Sequence, residues 1–285
     1  LCARIVNSDQ HSKDYSILAD KMRPGHADYA GHVRYQGFND YRGGGHFSGR
    51  LTAPLVFAGA VAKQALAQHG IVVGSHILQI NDIQEERFNP MGVSDAELAE
   101  LHAKKFAVMD DTVGEKMQER ILQAKSELNS VGGVIEAIAL HLPAGIGAPY
   151  FDSVESMLSH ALFSVPAVKG VEFGDGFGFA GMTGAEANDA LHYVDGKVQA
   201  LTNHNGGVTG GITNGMPLVV RVAIKPTPSI AREQQTVSLK EQADTTLAIV
   251  GRHDPCIVQR AVPVIEAVVA WTLWDLLLEA KKWEK

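Results

Sequence analysis

The segment from Pro263 to Trp283 constrains the fold more than any other part of the sequence. It follows a helical pattern and is apolar on nearly every face up to Leu278. A helix that lacks a polar face must be covered by other elements of the protein. The segment therefore predicts a buried helix.

Other helical and strand patterns lie in separate blocks along the chain. Further predicted helices cover 53–69, 111–129 and 153–163, and Ser94-Asp95-Ala96-Glu97 matches a capping box that opens another. Predicted strands cover 71–80, 133–142, 168–173 and 218–224, with a hairpin over 191–201. This order favours an α+β fold with mainly antiparallel sheets, and because no linker composition interrupts it, residues 1–285 are expected to form a single domain.

Composition restricts the function classes. The chain has 285 residues and a net charge of −7, which argues against non-specific binding to nucleic acid or to an anionic membrane. No window of about 18 apolar residues is free of charge, so no membrane span is expected. The 12 histidines form neither HExxH nor a paired His/Cys spacing, so no metal site is expected. These features are typical of a cytoplasmic protein.

Positive charge is nevertheless concentrated in glycine- and proline-rich loops. The first is Tyr41 to Arg50, YRGGGHFSGR, which could be a plain turn, a nucleic-acid patch or a binding site for a small anion. Glycine lets backbone N–H groups approach a ligand closely, and arginine offers forked donors to phosphate or carboxylate. Similar loops are RPGHAD at 23–28, NHNGGVTGG at 203–211, KPTPS at 225–229 and RHDP at 252–255. Together they indicate one large polyanionic ligand or two anionic ligands held side by side.

Other motifs do not support a competing function. Gly176-Phe177-Gly178-Phe179-Ala180-Gly181 matches GxGxxG, but no convincing helix follows it and Asp195 belongs to the predicted hairpin turn. The sequence contains neither a GxxxxGK[ST] phosphate loop nor a GxSxG nucleophile motif.

In order and spacing, the loops resemble the chorismate synthase family. The matching stretches are RPGHADYAG, DYRGGGHFSGRLTAP, LPAGIGAPYFDSVES, SVPAVKGVEFGDGFG, TNHNGGVTGGITNGMP, IKPTPSI and GRHDPCIVQRAVPVIEA, from residue 23 to about 267. The resemblance implies a β-α-β sandwich with antiparallel sheets in its core and a homotetrameric assembly. It also implies loss of phosphate from 5-enolpyruvylshikimate 3-phosphate by anti-1,4-elimination, a lyase reaction of aromatic amino acid biosynthesis. The family requires reduced FMN, and NADPH is a candidate reductant.

The resemblance also assigns roles to residues. His26 resembles the histidine that protonates reduced flavin, and Asp254 resembles the acid that takes a proton from flavin N5. Arg23, Arg50 and Arg252 correspond to cations that bind the substrate. The positions that correspond to flavin contacts are His46, Phe47, Ser48, Pro166, Ala167, Gly210, Lys225, Pro226, Thr227, Pro228, Ser229 and Arg252.

The sequence departs from the family pattern in three places. Many relatives have arginine where His46 stands and asparagine where Pro166 stands. The family also opens with a Gly-Glu-Ser-His-Gly segment that does not occur here, so the chain is expected to be N-terminally incomplete relative to the family. Two alternatives therefore stay open: an oxidoreductase that uses flavin or nicotinamide through the same anion-binding loops, and an inactive remnant that binds FMN.

Overall fold

The computed structural model describes residues 2–6, 17–249 and 254–281. The α-helices are α1 (Asp28–Arg34), α2 (Thr52–Ala67), α3 (Asp95–Ala103), α4 (Asp111–Ser126), α5 (Val154–Phe163), α6 (Gly184–Ala187) and α7 (Val258–Lys281). The strands are β1 (Val72–Ile80), β2 (Ile83–Gln84), β3 (Gly133–Leu140), β4 (Val168–Phe173), β5 (Leu191–Val194), β6 (Lys197–Ala200), β7 (Val208–Thr209), β8 (Ile212–Thr213), β9 (Leu218–Ile224), β10 (Gln234–Ser238) and β11 (Ala243–Leu247).

Five of these strands form one antiparallel sheet in the order β2-β1-β3-β9-β4. Three two-stranded ribbons, β5–β6, β7–β8 and β10–β11, complete the strand content of the described residues. The arrangement confirms the expected α+β class with antiparallel pairing. Strand β9 matters most for the site because the loop 225–229 begins where this strand ends.

One face of the large sheet carries the main hydrophobic core. Residues of β1, β3 and β9 that alternate toward this face are almost fully buried, among them Ile77, Ile135 and Val222. Helices α2, α5 and α7 pack on the same side. On the opposite face, Leu98 of α3 covers Ile138 in a smaller cluster. The two faces follow from the period-2 alternation of strand side chains.

Helix α7 is the predicted buried helix, but it begins earlier than the sequence suggests. Its first turn starts at Val258, and Pro263 lies inside the helix rather than at its start. The exposed fractions of Val258 and Val262 are 0% and 8%, so burial in the core outweighs the helix-breaking effect of the proline. By length and composition α7 could cross a membrane, but 67% of its most apolar window is buried inside this protein.

Two other elements refine the sequence predictions. The capping box is confirmed: Ser94 Oγ accepts from Glu97 N, and Glu97 Oε2 accepts from Ser94 N at 2.7 Å. The GxGxxG segment Gly176–Gly181 forms a 3-10 helix, and only the four-residue helix α6 follows it. This geometry is not that of a dinucleotide-binding strand–loop–helix unit, in agreement with the lack of a helical pattern after the glycines.

Candidate active site

A buried ion pair fixes the turn that precedes α1. Arg23 Nε donates to Asp28 Oδ2 at 2.7 Å, and Arg23 Nη2 donates to Asp28 Oδ1 at 2.8 Å. Only 7% and 8% of the two side chains are exposed. Burial by itself raises the pKa of Asp28, but hydrogen bonds from Arg23 and His26 outweigh that effect and hold this pKa well below its usual range. Asp28 is therefore a permanent carboxylate.

The same carboxylate orients His26. The Nδ1 atom of His26 lies 2.6 Å from Asp28 Oδ1 and 3.1 Å from Arg23 Nη2. A guanidinium has no acceptor, so the proton on Nδ1 is directed to the carboxylate. The other ring nitrogen, Nε2, faces the glycine-rich loop, where a Cβ atom on Gly44 would lie 3.6 Å from it. His26 thus presents Nε2 to the loop.

The glycine-rich loop forms two short 3-10 helices, Arg42–Phe47 and Gly49–Leu51. Phe47 attaches the loop to α1, because a Cβ atom on Gly31 would lie 2.7 Å from the Phe47 ring. Ser48 Oγ accepts a hydrogen bond from Arg50 Nε at 3.0 Å. His46 is exposed. Arg42 instead pairs with Asp40 at 2.8 Å on the surface.

The loop 225–229 is joined to the Arg23–Asp28 turn at both of its ends. At one end, the Lys225 Nζ atom donates to the carbonyl oxygen of Gly25. At the other, Arg23 Nη1 donates to Ser229 Oγ at 3.2 Å. Burial, together with the nearby charge of Lys169, lowers the pKa of Lys225. Two segments about 200 positions apart in sequence are thus held together by side-chain hydrogen bonds.

Pro166 and Ala167 lie beside the same loop. The carbonyl oxygen of Ala167 accepts from Lys225 N at 2.9 Å. Ala167 has a φ of 75°, in the left-handed region that non-glycine residues rarely occupy. This backbone turn brings the end of α5 next to the start of the loop 225–229.

An open hollow of about 350 Å³ lies under this loop. Its lining residues are Pro24, Gly25, Asn129, Ser130, Lys225, Pro226, Thr227, Pro228, Ile230 and Gln234. Ser130 Oγ donates to the Thr227 carbonyl oxygen at 2.7 Å, which fixes one wall. Two side-chain atoms of the lining residues, Thr227 Oγ1 and Gln234 Nε2, are buried and have no hydrogen-bond partner among residues 2–6, 17–249 and 254–281.

The segment that contains Asp254 lies next to one wall of the hollow. Val131 N donates to the Pro255 carbonyl oxygen at 2.8 Å, so the segment lies beside Ser130. Asp254 Oδ2 is buried and forms an ion pair with Arg260 Nε at 3.1 Å, but the geometry of this contact does not meet that of a hydrogen bond. Arg252 lies outside the described residues.

Gly210 is not brought to this cluster. It lies in the turn between β7 and β8, and the adjacent Gly211 carbonyl oxygen accepts from Val154 N, at the first residue of α5. Pro166 and Ala167 follow the other end of α5. Gly210 therefore lies by the N-terminal end of α5, whereas the loop 225–229 lies by the residues that follow its C-terminal end.

Three residues of this site, Asp28, Ser130 and Gln234, were not predicted as site residues from the sequence. Asp28 had a sequence signal, because it stands two positions after His26 in a rigid Pro-Gly turn. Ser130 and Gln234 had none, since each lies far from the motif loops in sequence and reaches the hollow only through the fold.

Comparison with known proteins gives one consistent result. The family model for chorismate synthase matches residues 1–278. Proteins named chorismate synthase from Thermococcus gammatolerans and Pyrococcus abyssi are 48% and 46% identical to the chain. Each alignment covers 98% of this chain, and 77% and 76% of the relatives' lengths.

A crystal structure of chorismate synthase supports the same relationship in three dimensions. It is 30% identical, with a TM-score of 0.72 over 89% of this chain and 70% of that chain. The shared fold, the matching loops and the high identity over nearly all of the sequence agree. The chain belongs to the chorismate synthase family.

Proposed function

We propose that the chain eliminates phosphate from 5-enolpyruvylshikimate 3-phosphate to give chorismate, and that it does so with reduced FMN. The observation that carries the proposal is the meeting of three motif segments at one place. The Arg23–Asp28 turn contacts both the glycine-rich loop that contains His46 to Ser48 and the loop 225–229, so it holds the two loops on either side of itself. The substrate carries two carboxylates and a phosphate, and cations held by a rigid scaffold suit such charge.

The hollow fits a polar, negatively charged cofactor group. Thr227 Oγ1 and Gln234 Nε2 lack partners, and Lys225 contributes the positive charge. Residues that would hold the flavin are His46, Phe47, Ser48, Pro166, Ala167 and the loop 225–229, with Gly210 and Arg252 as further family positions. Reduced FMN, when bound, supplies electron density that eases departure of the phosphate.

His26 is suited to proton transfer at one atom. Its Nδ1 proton is held by Asp28, which keeps the imidazole in a single orientation. The Nε2 atom is then available to hold and transfer a proton on the side of the glycine-rich loop. We assign His26 Nε2 this role.

Asp254 is suited to accept a proton. Its Oδ2 atom is buried and has no aligned donor, whereas Oδ1 accepts weakly from Cys256 N at 3.4 Å. A carboxylate oxygen without a donor keeps its lone pairs for an incoming proton.

The arginines serve different purposes in the proposal. The Arg23 donors are directed to Asp28 and Ser229, so Arg23 is assigned the role of a buried cation that also holds the loop 225–229. Arg50 and Arg252 are the proposed substrate-binding cations. Arg50 lies next to Ser48 at the end of the glycine-rich loop.

Assembly and location belong to the same proposal. Four aromatic side chains, Phe38, Tyr150, Phe151 and Phe177, are 87–91% exposed. Large exposed apolar side chains are common where subunits meet, which supports the homotetramer of the family. A cytoplasmic location follows from the same resemblance. Light scattering of the purified protein measures the assembly directly, and a monomer would contradict it.

The function is tested by an anaerobic assay with chemically reduced FMN. We expect chorismate and phosphate to form in equal amounts, only when reduced FMN is present, with no net consumption of reductant. Because relatives extend beyond this alignment, the assay includes this chain preceded by a relative's N-terminal segment. Oxidation of NADPH without an elimination product would instead indicate an oxidoreductase. FMN binding without turnover in both proteins would indicate a binding remnant.

A further inference from the structure

Strand β10 contributes an unassigned side chain to the hollow. Gln234 is the first residue of β10 and pairs with Leu247 of β11, so its backbone is fixed by the ribbon. Its Nε2 atom is buried and has no hydrogen-bond partner in the part of the chain that the structure describes. The next residue, Gln235, is exposed, in agreement with the alternation of side chains along a strand. Only one of these two glutamines lines the hollow.

Two unpartnered polar atoms line the same small hollow. Thr227 Oγ1 belongs to the loop 225–229 and Gln234 Nε2 to the ribbon β10–β11, and both are buried. Native proteins leave few buried polar atoms without a hydrogen bond, because each such atom is destabilising. Two of them in one concave site indicate that a ligand supplies the missing partner.

The charges around the hollow define what kind of group this ligand presents. Among the residues that the structure describes, the lining includes one cation, Lys225, and no aspartate or glutamate. Burial and the charge of Lys169 lower the pKa of Lys225, and a nearby anion would act in the opposite direction by stabilising the charged ammonium. An amide N–H, a hydroxyl and an ammonium together favour an oxygen-rich anion.

We propose that Gln234 is a ligand-binding residue that acts with Thr227 and Lys225 to bind a phosphate group in this hollow. The inference rests on the proposed function, in which both FMN and the substrate carry a phosphate monoester. Gln234 donates through Nε2 to a phosphate oxygen, and the Thr227 hydroxyl donates to the same group. The phosphate gives each unpartnered atom its hydrogen bond.

The variants Gln234→Glu and Gln234→Leu test this assignment, with Gln235→Leu as the matched control on the exposed face. Dissociation constants are measured by flavin fluorescence for oxidised FMN and for riboflavin, which lacks the phosphate. The constant for 5-enolpyruvylshikimate 3-phosphate is measured from its effect on the absorption spectrum of bound oxidised FMN. Comparison of the three probes separates the two sources of phosphate.

We expect Gln234→Glu to weaken the binding of one phosphate-bearing probe by about tenfold or more, because a carboxylate repels the anion and offers no donor. The dissociation constant for riboflavin should change by less than about twofold. Weaker FMN binding assigns the hollow to the flavin phosphate, and an effect on the substrate alone assigns it to the substrate phosphate. Gln235→Leu should match the unaltered protein with every probe.

A measurement on the ligand-free protein separates binding from a structural role. Gln234→Leu removes an unpartnered buried amide, so the midpoint of urea unfolding should stay the same or rise. A lower midpoint, together with equal weakening of FMN and riboflavin, would show that Gln234 only supports the fold. Unchanged constants in Gln234→Glu would overturn the inference while the chain still forms chorismate. If the unaltered protein binds no flavin, the proposed function itself fails, and this inference fails with it.

Discussion

His26 Nδ1 lies 2.6 Å from Asp28 Oδ1, so a buried carboxylate holds the imidazole from the side opposite the glycine-rich loop. Arg23 binds the same carboxylate through two nitrogen atoms, at 2.7 and 2.8 Å. The three residues form one unit, in which the arginine keeps the aspartate charged and the aspartate orients the histidine. Asp28 is therefore a positioning residue.

Asp28→Asn should lower both turnover and stability. The neutral amide removes the charge that balances the buried Arg23 guanidinium, so the free energy of unfolding should fall by about 3 kcal/mol. It also permits the wrong orientation of His26, which should reduce kcat by about 10²-fold or more. Anaerobic chorismate formation and urea unfolding measure the two effects. Asp40→Asn, which removes the partner of exposed Arg42, is the control and should change neither quantity appreciably.

The pH dependence of the Asp28→Asn effect has a definite sign. Because the pKa of Asp28 is lowered in the folded protein, its contribution to stability is present above the unfolded value of about 3.9. That contribution is lost as the pH falls below this value toward the folded pKa. The difference in unfolding free energy between the unaltered protein and the variant should shrink below about pH 4. A constant difference from pH 7 to pH 3 would contradict the assignment.

His26→Ala and Asp254→Ala should each reduce turnover sharply and leave the fold intact. Both remove a proton-transfer group, and general acid–base catalysis by a positioned side chain contributes about 10²–10⁴-fold. Far-ultraviolet circular dichroism checks the fold. His160→Ala, on an exposed position of α5, is the matched histidine control and should keep full activity. Undiminished turnover in His26→Ala and Asp254→Ala would refute both roles.

A row of charged residues, three buried and the edge residue Glu172 partly buried, crosses the sheet on the face opposite α7. His76, Glu136, Arg221 and Glu172 stand directly opposite one another on β1, β3, β9 and β4. His76 Nε2 donates to Glu136 at 3.1 Å, and His76 Nδ1 donates to Glu85. Both ring nitrogens face carboxylates, which requires the doubly protonated imidazolium. Burial lowers the pKa of His76, but the hydrogen bonds to Glu136 and Glu85 outweigh it, so this pKa is raised.

His76→Gln should lower stability in a pH-dependent way. Since the folded pKa of His76 is raised, its contribution is complete below the unfolded value of about 6.5 and is lost as the pH rises through the folded value. The difference in unfolding free energy between the unaltered protein and His76→Gln should therefore be largest below about pH 6.5 and decrease at alkaline pH. Urea titrations from pH 6 to pH 9 measure it. His160→Gln provides the baseline, and a difference that grows with pH would contradict the charged state.

The sequence predicts the elements that have strong local patterns. The alternation in β3 and the capping box at Ser94 depend on residues close together in the chain, and both are confirmed. Helix α1 and the ribbon β10–β11 were not predicted. Each is short and has little apolar periodicity, so tertiary contacts determine them: Phe47 covers α1 at Gly31, and Lys21 Nζ donates to Thr245 in β11.

The residues of the candidate site also differ in whether a local sequence pattern predicts them. The motif loops identify His26 and the loop 225–229, because their chemistry is concentrated in a few neighbouring residues. Gln234 could not be found in this way, since a single glutamine in a polar strand has no local signature. The fold alone places it beside Thr227. The placement of Gly210 and the loop 225–229 near opposite ends of α5 likewise depends on the fold.

Helices α2 and α7 approach each other closely at Gly59. A Cβ atom there would lie 2.2 Å from Ala267 Cβ and 2.8 Å from the Ala267 carbonyl oxygen, a contact that requires the helices to move apart. Alanine inside a helix is normally about 0.5–1 kcal/mol more favourable than glycine. Overpacking of a core costs about 1–3 kcal/mol and should reverse that sign, so Gly59→Ala should lower the free energy of unfolding.

Urea unfolding measures the effect of Gly59→Ala, with Gly181→Ala as the control. A Cβ atom on Gly181 would meet no atom within 4 Å, so that change should be neutral to within about 0.5 kcal/mol. Since α7 is buried between α2 and the sheet, any separation at Gly59 also disturbs contacts of its neighbour Val268, which is fully buried. If Gly59→Ala stabilised the protein, the intrinsic preference of alanine for helices would dominate, and the close helix contact could not exist in solution.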